Sequence, residues 1–133
     1  MPAASARLPN ACTLLSAAQI KAALQAKVQW RQRQGTGKYQ MCTWHGEPYN
    51  ASSYGAPTLT LTVAATTRAR FKGAARMYGV PVSGVGELAY LEGGTARFLM
   101  VFGKGYSISV LVPQDDGGLK RAKAAAVAAL SHL

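Results

Sequence analysis

Two cysteines, two histidines and fifteen basic residues are the groups in this 133-residue chain that could do chemistry. A zinc site needs about four ligands. Only Cys12, Cys42, His45 and His132 could be offered, and none of the usual paired spacings is present. A Cys-x-x-Cys redox motif is also absent. What remains for the cysteines is a bond to each other. On the chain-entropy model, closing a loop of this length is worth about 3–4 kcal/mol. Such a bond belongs to an oxidising compartment, whereas two independent buried thiols would suit a cytosolic protein. His45 could act as a general acid or base with Glu47 or Glu87 as its partner. No nucleophile is identifiable by spacing, so the chain is expected to be non-enzymatic and to need no cofactor.

Gly35-Thr36-Gly37-Lys38 has part of a phosphate loop, but the Gly-x-x-x-x-Gly-Lys-Ser/Thr spacing is missing and Tyr39 follows the lysine. Gly84-Val85-Gly86 lacks the third glycine of a dinucleotide fingerprint and reads as a turn into a strand. Asn50-Ala51-Ser52 matches a glycosylation sequon, a pattern short enough to recur by chance.

The net charge is +10, from fifteen bases against five acids. That field favours anionic partners, although a high charge can also serve solubility alone. Arg68, Lys72 and Arg76 fall four residues apart, on one face of an expected helix. Like charges at this spacing repel by a few tenths of a kcal/mol per pair, roughly, which an anionic partner would offset. Arg31, Arg33 and Lys38 flank Trp30 and Tyr39, an interleaving of bases and aromatics that suits stacking on nucleic acid or sugar.

The elements that must hold these residues follow from the local signals. Residues 1–10 are expected to be a disordered leader, with no signal sequence visible, and residues 11–133 a single domain. Ser16-Ala17-Ala18-Gln19 is a capping box opening a helix from Ala17 to about Ala26, with Ile20, Ala23 and Leu24 on its apolar stripe. Trp30–Gly37 is expected as polar loop and Tyr39–His45 as a strand. Trp44 is expected on the opposite face of that strand from the disulfide, packed under a helix. Glu47–Pro57 reads as loop. Thr58–Val63 alternates as a strand, with Leu59, Leu61 and Val63 inward and three threonines outward. Thr66 or Thr67 caps a second helix from Arg68 to about Tyr78, with Phe71, Ala74, Ala75 and Tyr78 inward. Gly79 ends it and Pro81 prevents its resumption.

Glu87–Leu91, Ala96–Phe102 and Tyr106–Val112 read as a meander of three strands joined by glycine turns. A closing helix, Leu119–Leu130, should bury Leu119, Ala122, Ala126, Val127 and Leu130, with Lys120, Arg121 and Lys123 facing out. The fold class is therefore α+β: an antiparallel sheet of about five strands with helices packed on it, in the order α-β-β-α-β-β-β-α. No stretch reaches the ~20 apolar residues that a membrane span needs.

The segments Ala11-Cys12-Thr13-Leu14-Leu15-Ser16, Cys42-Thr43-Trp44 and Val82-Ser83-Gly84-Val85-Gly86-Glu87-Leu88-Ala89-Tyr90, in that order, resemble a broad group of bacterial exported proteins and lipoproteins, common in actinobacteria. The resemblance implies an extracytoplasmic location, in the periplasm, the envelope or outside the cell, and a paired Cys12–Cys42. It implies no reaction. The functional expectation is an exported binding domain that meets an anionic envelope component or a protein partner through Arg31, Arg33, Lys38, Arg68, Lys72 and Arg76. A nucleic-acid-binding protein, or an inhibitor or immunity partner of a secreted effector, are the alternatives.

Overall fold

The computed structural model describes residues 8–47, 57–77, 79–92, 98–113 and 117–133. Its elements are a 3-10 turn (Ala11–Thr13), α1 (Ala17–Leu24), β1 (Val28–Gly35), β2 (Gln40–Gly46), β3 (Thr58–Ala65), α2 (Arg68–Ala75), β4 (Gly79–Pro81), β5 (Leu88–Glu92), β6 (Leu99–Gly103), β7 (Tyr106–Leu111) and α3 (Gly118–Ser131). All seven strands form one antiparallel sheet, ordered β1-β2-β3-β7-β6-β5-β4. The α+β class and the β5-β6-β7 meander agree with the sequence reading. The strand number and order do not.

Two strands are additional. Trp30–Gly37, expected as loop, is mostly β1. The run Gln-Trp-Arg-Gln-Arg-Gln has no apolar alternation because neither of its sides is buried, and pairing with β2 alone sets its shape. Gly79–Pro81, expected as a helix stop, is the three-residue β4, paired with β5. The segment 48–56, Tyr78, 93–97 and 114–116 lie outside the described residues, and so do the sequon and the inward place expected for Tyr78.

The sheet has one deeply buried face. Cys42, Trp44, Leu59, Leu61, Val63, Leu99, Val101, Ile108 and Val110 point into it, under the 3-10 turn, α1 and α3. Cys42 and Trp44 thus share a face, contrary to expectation, because two steps along a strand return a side chain to the same side. The capping box of α1 is complete: the Gln19 amide donates to Ser16 Oγ (3.1 Å) and the Ser16 amide to Gln19 Oε1 (2.9 Å). Helix α1 stops at Gln25, which turns left-handed (φ 60°), two residues before Lys27.

Helix α3 turns a different face inward from the one its large side chains suggested. Ala122, Ala125, Ala126 and Ala129 are buried, while Leu119 and Val127 are exposed. Small side chains let α3 approach both the sheet and α1; Leu130 packs against the core as expected, while Leu119 and Val127 are left outside. Arg121 also departs from expectation. It turns inward, donating from Nε to the Ala23 carbonyl (3.1 Å) and from Nη2 to the Pro113 carbonyl (3.0 Å). A cation at Ala23 meets the negative end of α1 and two carbonyl groups at once.

Helix α2 lies on the opposite face. Thr67 is its cap, accepting from the Arg70 amide. Phe71 packs against Tyr90 and Phe102, with Ala75 completing a second small core. Ala74, expected inside, is exposed. Farther along this face Thr60, Thr62 and Ser109 are only half-buried, and Thr43 and Thr60 share a hydroxyl contact of 3.3 Å. The outward threonines are as the alternation predicted. No described helix is long and apolar enough to cross a membrane.

Candidate binding surface

The cysteines form the expected bond, Cys12 to Cys42, with their Cα atoms 5.1 Å apart. Local structure brings them together. The Asn10 side chain accepts from the Cys12 amide (2.9 Å), shaping the 3-10 turn that sets Cys12 over β2. Both cysteines are buried, so the bond has a structural place and no exposed sulfur. It ties the chain just ahead of α1 to β2, the strand that carries β1.

The β1–β2 hairpin displays the first basic group. Lys27, Arg31, Arg33 and Lys38 lie within residues 26–46, and no acidic residue occurs anywhere before Glu47. Every residue of β1 is exposed. Cross-strand register sorts its side chains. Arg31 lies opposite Trp44 and Arg33 opposite Cys42, so both arginines emerge on the helix-covered side, beyond its edge. Trp30 lies opposite His45 on the other side and stacks on its ring, with centroids 3.7 Å apart and planes 14° from parallel. Trp30 remains half exposed.

The hairpin turn organises Arg33. Its Nη2 donates to Gln40 Oε1 (3.2 Å), and Gln40 Nε2 donates to the Thr36 carbonyl (3.0 Å). The Gln40 amide lies close over Gly35, where a Cβ would stand 2.6 Å from Nε2 and would displace this side chain from the turn. The Gly35–Lys38 segment, with its partial likeness to a phosphate loop, is this turn: the Lys38 amide donates to Thr36 Oγ1 (3.0 Å).

The second basic group is at the far end of the sheet. Arg68, Lys72 and Arg76 follow one flank of α2, beside β6 and β5. Arg68 is held by Glu87, 3.4 Å away, and Glu87 also accepts from the Lys104 amide (3.3 Å). Three strands, β2, β3 and β7, lie between β6 and β1 in the sheet order. The six basic residues singled out in the sequence therefore make two surfaces and not one.

Among the described residues no hydrogen bond or ion pair links His45 to Glu47 or Glu87. Glu87 serves Arg68 and the β6–β7 turn, and Glu47 lies past the end of β2, its amide donating to the Lys27 carbonyl. What His45 meets is the Trp30 ring. Among the described residues no three His, Cys, Asp or Glu side chains are grouped to hold a metal. Gly84 and Gly86 adopt positive φ (86° and 59°), and a Cβ on Gly86 would strike Val101 and the Phe102 carbonyl, so that motif serves the close entry into β5.

Sequence reasoning found the hairpin's bases but missed that they stand on an edge strand. No family model, curated protein or solved structure matches this chain.

Proposed function

We propose that this chain is an exported, non-enzymatic binding domain that meets an anionic partner through its basic β1–β2 hairpin. One observation carries the reading: β1 is a full eight-residue strand with no buried residue. Such a strand adds almost nothing to the core, yet it holds Trp30, Arg31 and Arg33 in fixed register. The net charge of +10 supports an anionic partner. The buried disulfide supports an oxidising, extracytoplasmic setting. Helix α2 offers a second, smaller basic surface in Lys72 and Arg76, with Arg68 already engaged by Glu87.

Binding of polyglutamate to the folded protein tests the reading. The affinity should weaken as salt rises and be lost in the Arg31→Gln, Arg33→Gln double variant. Binding indifferent to both salt and substitution contradicts it. A second reading is favoured by the half-exposed Trp30, which lies on the opposite side of β1 from Arg31 and Arg33 and offers an aromatic surface on which a base of single-stranded nucleic acid could stack. It predicts retardation of single-stranded DNA at low salt, lost in Trp30→Ala. Absence of retardation removes it.

A further inference from the structure

Among the described residues no strand pairs with the outer edge of β1, and that edge has a definite hydrogen-bonding pattern, which two observations fix independently. The Gly46 amide donates to Pro57, on the β3 side. Amides alternate direction along a strand, so those of His45, Thr43 and Met41 point toward β1. Their partners are Trp30, Gln32 and Gln34, which hold the inward bonds. From the other end, the Thr36 amide donates to Tyr39 at the hairpin turn. Counting back by alternation again gives Gln34 and Gln32 as the inward pairs. Arg31, Arg33 and Gly35 are left with their N–H and C=O groups directed away from the sheet.

Of the three residues whose main-chain groups point outward, Arg31 and Arg33 carry cations. A strand laid along this edge would bond to the Arg31 and Arg33 backbones. The side chains it sets opposite would lie next to the two guanidinium groups. A second copy of this chain is a poor occupant. Antiparallel pairing of β1 with itself sets arginine near arginine, and no acid lies before Glu47 to compensate. The opposite edge of the sheet is unsuited to any strand, since β4 has three residues and Pro81 has no N–H.

We infer that the β1 edge takes an extended, acidic segment of another polypeptide by strand addition, with carboxylates at alternate positions meeting Arg31 and Arg33. This rests on the reading of the hairpin as the binding surface, and adds to it the partner's conformation and its charge period.

The experiment is a titration of the isotope-labelled, disulfide-intact protein, followed by amide hydrogen exchange. The probe is a short peptide alternating glutamate with threonine. The control has the same charge but is interrupted by prolines, so it cannot form a strand. The expected result is slowing of exchange at the Arg31 and Arg33 amides by about tenfold or more with the alternating peptide only, with Gln32 and Gln34 little changed. Arg33→Pro should abolish the protection, since it removes an outward N–H and leaves the inward ladder intact. The retained exchange protection of Gln32 and Gln34 reports that this variant is folded. A second variant, Arg31→Glu with Arg33→Glu, should exchange the glutamate peptide for a lysine–threonine one. Equal binding of the two acidic peptides without amide protection overturns strand addition and leaves the basic-surface reading standing. Failure of both peptides and of polyglutamate overturns both.

Discussion

At one edge of the sheet β1 runs for eight residues with neither side covered; at the other, β4 runs for three and ends in Pro81. The β4 end lies beside a small core of Phe71, Ala75, Tyr90 and Phe102 under α2. The β1 end has no such cover and carries Arg31, Arg33 and a half-exposed Trp30 instead. Short length and proline are the common ways to close an edge against unwanted pairing. Charge is another, and β1 uses only that. A charged edge repels its own kind but admits a partner of opposite sign. On the proposed reading the two ends divide the work: one completes the fold and the other stays available.

Substitutions can separate these ends, beginning with the largest expected effect. Replacing Cys12 and Cys42 by alanine should cost about 3–4 kcal/mol in denaturant unfolding. Amide exchange in β1 and β2 should accelerate more than in β4 and β5, because the bond anchors β2. Phe71→Ala should cost about 3 kcal/mol and act at the opposite end, releasing α2 while Arg31 and Arg33 keep their behaviour toward polyglutamate. Arg121→Ala removes donors to two carbonyl groups between α1 and α3, and should cost about 2 kcal/mol in thermal or chemical unfolding. Arg31→Gln with Arg33→Gln should change stability by no more than about 0.5 kcal/mol, since neither side chain is buried, and yet remove polyglutamate binding. Those last two substitutions sharpen the contrast most: a large effect on binding with almost none on folding.

Burial decided how much of this was legible in the sequence. Thr58–Val63 was readable because Leu59, Leu61 and Val63 alternate with threonines across a half-covered sheet. Ser16 and Gln19 marked the start of α1 through a local hydrogen-bond exchange that needs no tertiary context. Strand β1 was hidden because a strand with two exposed sides has no hydrophobic period, and β4 because three residues are too few to show one. In α3, hydrophobicity favoured Leu119 and Val127, while close approach to the sheet and α1 selected alanines. Arg121 could not be read as inward, since its carbonyl partners come from Ala23 and Pro113, brought near only by folding. For the binding surface the residue types were visible in the sequence. Their division between two ends of the sheet depended on strand order, which no local signal encodes.

The central claim is that anionic partners are met at β1 and not across the whole basic molecule. Matched charge reversals test it: Arg31→Glu with Arg33→Glu at one end, and Lys72→Glu with Arg76→Glu at the other, each titrated with polyglutamate at one salt concentration. Both change the net charge equally. The account predicts that the β1 pair abolishes binding and the α2 pair weakens it only by the general loss of charge. Equal losses, or a loss confined to the α2 pair, would contradict it.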